Sequence, residues 1–225
     1  MVFTRALSRD GSPIGDAFLP DVLKDLFPLE SQTPAYFRPR TYIFHQGTDV
    51  EAVYLPVQGS LVLERIDEDG RIAMFGMQKV GSLLAWQDLM GGNVHRNSCQ
   101  TLTACDLVAI PAGKFESMLH ENGALLICLM QQAAAQANSY EEHIFRLSTL
   151  DVPDRLYWTL LTLAGAPSGE GKEIEVSTPL MKRDLAAMVG TSPESSSRSL
   201  RRLEKMKVAE FSAGNTFKIT WPRRA

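Results

Sequence analysis

The stretch Leu180–Met206, LMKRDLAAMVGTSPESSSRSLRRLEKM, decides how the rest of the chain is read. Leu185, Met188 and Val189 recur at helical spacing, which gives a first helix one buried face. Ala186, four residues before Gly190, is small enough to let a second helix come close. Gly190 can end the first helix in the left-handed conformation without steric cost. Ser192 then suits an N-cap, Pro193 the first helical position, and Glu194 the positively polarised first turn. The second helix is expected to bury Leu200, Leu203 and Met206 and to expose Glu194, Ser197, Arg198, Arg201 and Arg202. Two helices joined by so short a turn make a helix-turn-helix, the unit that lays its second helix in the major groove of DNA. Four serines within Ser195–Ser199 also fit a linker, because serine is a mediocre helix former, and a helical hairpin without DNA contact shares the pattern. The start and stop signals fall at helix-turn-helix spacing, which argues against the linker.

Charge favours nucleic acid over either alternative. Residues 181–225 hold ten Lys/Arg against four Asp/Glu, a net of +6, while residues 1–180 hold 13 against 22, a net of −9. A basic C-terminal segment on an acidic body is the electrostatic footprint of a nucleic-acid-binding domain. The 225 residues suffice for two modest cores. No apolar run is long enough to span a bilayer, and the N-terminus lacks the apolar core of a signal peptide, so no membrane association is expected. Cys99, Cys105 and Cys128 are few, odd in number and widely spaced, which suits a reducing cytoplasm. The chain contains no CxxC, Walker loop, GxSxG or HExxH, and an enzyme is not expected.

Taken in order, residues 1–16 read as a flexible arm, and Asp21–Leu29 as a short helix with Val22, Leu23, Leu26 and Phe27 on one side. From Tyr36 the pattern changes to period two. TYIFHQG, VYLPVQGSLVLERI, RIAMFGMQKVG and CDLVAIP are short β runs, with Asp67–Gly70 as a hairpin loop and Gly47, Gly59 and Gly81 closing successive runs. This spacing predicts a small antiparallel barrel or jelly roll. In Ala112–Leu150, Met130, Ala133, Ala137, Tyr140, Ile144 and Leu147 step by three and four, and Leu126 extends the stripe backwards. Such a heptad stripe predicts two parallel helices packed along a dyad, although an amphipathic helix packed on its own roll would show a similar one. Pro153 in Leu150–Arg155 should break the long helix. DRLYWTLLTLA restarts one, APSGEGKE is a loop, and VAEFSAGNTFKITW reads as two short β runs around Gly214–Asn215, a wing.

FRPRTYIFHQGTDVEAVYLPVQGSLVLERIDEDGRIAMFGMQKVGSLLA resembles the cyclic-nucleotide-binding roll of the CRP/FNR family of transcription regulators. The family order of roll, dimer helix and winged helix-turn-helix covers roughly residues 20–222. The expected fold is therefore α+β. It comprises a flexible arm (1–16), an antiparallel jelly-roll-like sensor roll (17–122), a dimerisation helix (123–150) and a winged helix-turn-helix domain (151–225). The resemblance implies a cytoplasmic bacterial homodimer bound to double-stranded DNA and acting with RNA polymerase. Its recognition helix often carries Glu-x-x-Ser-Arg, here Glu194, Ser197 and Arg198. Glu can accept from a cytosine amine, Arg can fork onto guanine, and Ser can meet a neighbouring base. The implied target is a palindrome of TTGAY-type half-sites. Lys182, Ser192, Ser195 and Arg201 are placed for phosphates, which fix register. Two positions depart from the family. Ser196 replaces an aliphatic facing the first helix, and Met181 replaces the Ser or Thr that caps it, with Thr178 or Asp184 available to compensate.

The resemblance also places an effector site in Gly81–Thr103, with Tyr140 on the dimer helix. Members that bind cAMP use a Glu for the ribose hydroxyl and an Arg-Ser pair for the phosphate. Arg96 matches the Arg, Asn97 replaces the Ser with Ser98 following it, and Trp86 occupies the position of the Glu. An indole cannot accept a hydrogen bond from a hydroxyl. Tyr140 stands where cAMP responders place a small hydroxyl residue, so a signal other than classical cAMP is expected. No Cys precedes Cys99, which speaks against the iron–sulfur centre of the oxygen-sensing branch. Haem sensing of nitric oxide or carbon monoxide is an alternative, with His95 or His143 as ligand; His45 and His120 are the other imidazoles. Cys99 and Cys105 fit small buried hydrophobes or a redox pair. A rival of another class is a ligand-binding roll whose C-terminal domain docks a protein.

Overall fold

The structure, a computed structural model, describes residues 33–78, 80–165, 173–212 and 216–220. The expected N-terminal arm, the helix over Asp21–Leu29, most of the APSGEGKE loop and the wing turn at Gly214–Asn215 lie outside these residues. The chain divides into two compact units between Asn138 and Ser139.

The first unit is built on β1 (Ala35–Phe37), β2 (Tyr42–Phe44), β3 (Ala52–Gln58), β4 (Leu61–Ile66), β5 (Ile72–Gln78), β6 (Ser98–Thr101) and β7 (Cys105–Pro111). They form two antiparallel sheets, ordered β1-β7-β3 and β2-β6-β4-β5. The β1 and β6 strands are only three and four residues long, too short for period-two reading to isolate. The single run VYLPVQGSLVLERI is two strands in different sheets, separated at Gly59–Ser60. Gly59 has φ +93°, and a Cβ there would collide with the Ala104 carbonyl and Cys105 Sγ, so only glycine fits this corner. The β4–β5 hairpin closes on Asp67, whose Oδ1 accepts from the backbone N–H of Asp69 (3.0 Å) and Arg71 (2.8 Å).

Alternation along the strands buries Val53, Leu55, Leu61 and Leu107 in one core. Helix α1 (Trp86–Met90) crosses between β5 and β6. Helices α2 (Ala112–Glu121) and α3 (Gly123–Thr149) follow β7. Phe115 of α2 and Leu125 and Leu129 of α3 join the roll core. The segment Ala112–Leu150 breaks at Asn122, whose extended backbone ends α2 and whose Oδ1 accepts from Leu125 N at 3.0 Å to cap α3.

The second unit begins within α3 and continues through α4 (Val152–Leu163), β8 (Glu173–Ser177), α5 (Lys182–Met188), α6 (Pro193–Lys205), β9 (Ala209–Phe211) and β10 (Thr216–Thr220). Pro153 sits in the first turn of α4 after the Asp151 N-cap, which accepts from Asp154 N at 3.0 Å. Arg155 Nη1 donates to the carbonyls of Leu147 (3.3 Å) and Leu150 (3.4 Å), satisfying groups that the end of α3 leaves unpaired. The Arg146 guanidinium lies 4.8 Å from the Trp158 ring centroid. The β strands pair antiparallel in the order β8-β10-β9. Leu156, Leu160, Val176, Leu185, Leu203, Phe217 and Ile219 are buried in this unit. Among the described residues, no helix is long and apolar enough to cross a membrane.

Gly59→Ala should destabilise the roll by about 1–3 kcal/mol, through left-handed backbone strain and the collision at Cys105. A denaturant midpoint equal to that of wild type would contradict the tight corner.

Candidate functional site

Helix α6 starts where the sequence places it. Gly190 has φ +65° and Ser192 Oγ accepts from Ser195 N at 3.2 Å, with Pro193 in the first turn. The helix buries Ser196, Ser199, Leu200 and Leu203. Glu194, Arg198, Arg201 and Arg202 are exposed, and Ser195 and Ser197 are half-buried. Met206 corrects the expected burial pattern. It is the C-cap of α6 and 58% exposed, because the helix ends before its side chain can turn inward. On α5 the buried residues are Asp184, Leu185 and Ala186, with Met188 only half-buried and Val189 buried just beyond the helix.

Two features hold the Glu194 carboxyl below its ordinary range: first its own backbone N–H at the helix start, then the Ser192 hydroxyl. An exposed Glu194 is an ionised acceptor at neutral pH in any case, the form that a cytosine amine requires. The Arg198 guanidinium lies one turn along the same helix. Lys182 opens α5, exposed, with Nζ 5.9 Å from the Phe211 ring. Arg202 pairs with Asp151 at 3.7 Å, a partner 51 positions away that helical periodicity does not reveal.

Met181 supplies no side-chain cap, and only the reciprocal half of a capping box is present: Asp184 Oδ2 accepts from Met181 N at 2.8 Å. Thr178 Oγ1 accepts from Leu180 N at 3.2 Å in the preceding turn. Ser196 has no such remedy. Its side chain is fully buried and its Oγ has no hydrogen-bond partner.

In the roll, Trp86 opens α1 immediately after Ala85, a left-handed residue at φ +69°. The indole is half-buried against the roll core and its Nε1 has no partner. Arg96 is exposed, and its Nε donates to Asp88 Oδ1 at 3.1 Å. Asn97 Oδ1 accepts from Arg65 Nε at 3.1 Å, and Ser98 Oγ from Gln46 N at 2.9 Å. Burial alone would push the Asp88 carboxyl up, but the facing His95 ring and the hydrogen bond from Arg96 together outweigh it and hold the group below its ordinary value. Tyr140 belongs to the other compact unit and is 39% exposed on α3.

His95 is 2% exposed, with its ring stacked on Phe44 at 3.9 Å between centroids and 9° between planes. Its Nδ1 faces Asp88 Oδ2 at 3.6 Å, so the imidazole is enclosed between these two side chains rather than presented to a planar cofactor. His143 is exposed on α3. Among the described residues, no group of three or more His, Cys, Asp or Glu could hold a metal ion. Cys99 and Cys105 are buried, and burial pushes both thiols up, which suits small hydrophobes rather than reactive thiolates. Glu64, which sequence reading passed over, is 2% exposed and accepts from Tyr42 Oη at 2.5 Å. Partial burial and then this contact push the Tyr42 phenol up to about 12.

On α3, Leu126, Met130, Ile144 and Leu147 are exposed, as are Ala137 and Tyr140, while Ala133 is half-buried. Ile127 and Phe145 widen the exposed apolar stripe. The opposite face packs on the roll through Leu125 and Leu129. It continues in Gln132, whose Nε2 donates to the Leu83 carbonyl at 3.1 Å, and Gln136, whose Oε1 accepts from Gln87 Nε2 at 2.7 Å.

Comparison with known proteins covers both units. Residues 34–122 match the family model of the cyclic nucleotide-binding domain, and residues 154–224 that of the Crp-like helix-turn-helix domain. The chain is 27% identical over 166 residues to the cAMP-activated global transcriptional regulator CRP of Salmonella typhimurium, across 73% of this chain and 79% of that one. It is 25% identical over 175 residues to the nitrogen fixation regulation protein FixK of Azorhizobium caulinodans, across 77% and 69%. Among solved structures, the c-di-GMP responsive global regulator CLP of Xanthomonas campestris shares the fold with a TM-score of 0.76 at 20% identity. That match covers 90% of this chain and 100% of the other.

Ser196→Ala should raise the stability of the C-terminal unit by about 1 kcal/mol, since it removes a buried hydroxyl without a partner. A loss of stability on thermal melting would show that the hydroxyl has a partner in solution.

Proposed function

The chain belongs to the CRP/FNR family of transcription regulators, and from that premise we propose that it acts as a homodimer reading a palindrome of TTGAY-like half-sites under a signal other than classical cAMP. The observation that carries this reading is the outward face of α6, where an ionised Glu194 and the Arg198 guanidinium stand one turn apart with Ser197 between them. Glu194 accepts from a cytosine amine, Arg198 donates to guanine O6 and N7, and Ser197 meets the neighbouring base. Lys182, Ser195 and Arg201 contact phosphates, and Ser192 contributes by fixing where α6 begins. The exposed stripe Leu126, Met130, Ala133, Ala137, Tyr140, Ile144 and Leu147 packs against its copy in a second chain, which supports the paired half-sites that a helix-turn-helix dimer reads. RNA polymerase is the further partner in this reading.

The signal reaches the protein through the segment that holds Trp86, Arg96, Asn97 and Ser98. An indole donor stands where a ribose hydroxyl would need an acceptor, which argues against cAMP. The enclosure of His95 by Phe44 and Asp88 supports no haem ligation there.

Arg198→Ala should weaken binding to the palindrome by about 1–3 kcal/mol and relax the guanine preference, leaving affinity for random duplex nearly unchanged. Equal losses on both duplexes in a fluorescence titration would remove the base-reading role. Ala137→Glu places a charge in the apolar stripe and should shift the chain from dimer to monomer in light scattering; an unaltered dimer would place the interface elsewhere.

A further inference from the structure

Arg96, Asp88 and Asn97, in the segment between β5 and β6, are engaged within the chain. Asp88 accepts from Arg96 Nε at 3.1 Å and lies 3.6 Å from His95 Nδ1. Its carbonyl accepts from Gly91 N at 3.2 Å and Asn93 N at 2.9 Å, which folds the loop back onto α1. Ser98 Oγ holds Gln46 N, and Asn97 Oδ1 holds Arg65. A guanidinium is the side chain best suited to an anionic phosphate, and here a carboxylate eight residues away already meets it. Flanking Trp86, α1 and the turn before it are joined to α3 at two points, Gln87 to Gln136 and the Leu83 carbonyl to Gln132.

We propose that Asp88 is a built-in counter-ion for Arg96, and that Gln87, Gln132 and Gln136 clamp α1 to α3, so that the roll holds its DNA-binding arrangement without a bound nucleotide. This inference rests on the DNA-reading function proposed above. A ligand shifts an equilibrium between two forms only as far as it binds one better than the other. A nucleotide phosphate entering here would have to displace the Asp88 carboxylate from Arg96 and would find the bridge from α1 to α3 already made. A signal acting through this segment would then be something other than a nucleotide.

The test uses the full chain, unfolded in guanidinium, freed of small molecules and refolded. Wild type should keep the same melting temperature with cAMP, cGMP or cyclic di-GMP at about 1 mM, since any ligand that favours the native state raises it. The refolded protein should also bind the palindrome as tightly as untreated protein. Asp88→Ala, and separately Gln132→Ala combined with Gln136→Ala, should each lower that affinity about tenfold while the dimer persists. Asp88→Asn, which preserves shape but not charge, serves as the second variant should the alanine form fail to fold. A nucleotide that raises the wild-type melting temperature overturns the proposal. So does a refolded protein that binds the palindrome only after nucleotide is added, or a set of folded variants with undiminished affinity. Absence of specific binding in every preparation instead defeats the DNA-reading function, and the melting series, which uses no DNA, still decides the counter-ion.

Discussion

Helix α6 buries Ser196, Ser199, Leu200 and Leu203 and leaves Glu194, Arg198 and Arg201 in solvent. This one-sided burial fixes the rotation of the helix about its axis, and the Gly190 turn with the Ser192 cap fixes where it begins. The chemistry on its outer face depends on both. Rotation by one residue would turn Arg198 towards the core, and a later start would remove Glu194 from the N–H groups that lower its carboxyl pKa. The buried contacts are small: two of the four inward residues are serines, one with an unpartnered hydroxyl. The domain accepts this weakness and recovers stability from Phe217, Ile219, Leu156 and Leu160, all nearly fully buried.

Helix α3 presents different chemistry on its two sides. Leu125, Leu129, Gln132 and Gln136 face the roll, while the exposed stripe from Leu126 to Leu147 is the surface that the proposed dimer covers. The C-terminal end of α3 is joined to α4 and lies beside the turn before α6. Arg155 caps its last carbonyls, Arg146 stacks on Trp158, and a Cβ placed on Gly190 would lie 3.6 Å from Leu147 Cδ2. Within the C-terminal unit, therefore, the end of the stripe lies close to the turn of the helix-turn-helix. The division between the two compact units falls inside α3, after Asn138, rather than at the Pro153 turn.

Local rules made much of this legible. Period-two strands, the Asp67 hairpin, the Pro153 break and the cap of α6 depend on residues close in sequence, and each was readable from the chain alone. Contacts between distant residues were not. Gln87 and Gln136 are 49 positions apart, Arg202 and Asp151 are 51 apart, and neither pair carries a periodic signal. Tyr42 and Glu64, on strands that both pair with β6, are hidden for the same reason. His95, named from sequence as a possible haem ligand, is buried and stacks on Phe44, 51 positions away. Asp88 passed unnoticed in a helix too short to show a face. At the end of α6, periodicity carried Met206 inward past the point where the helix stops.

The most direct test of the central claim, that two copies of α6 read two half-sites together, is a titration of the full chain against three labelled duplexes over a range of salt: the palindrome, a single half-site and a scrambled sequence. The account requires two chains per palindrome and a half-site at least about a hundredfold weaker, because the second contact becomes intramolecular. It also requires a steep fall of affinity with salt, with a slope set by about 6–10 phosphate contacts. One chain per duplex, with equal affinity for all three sequences, would contradict it.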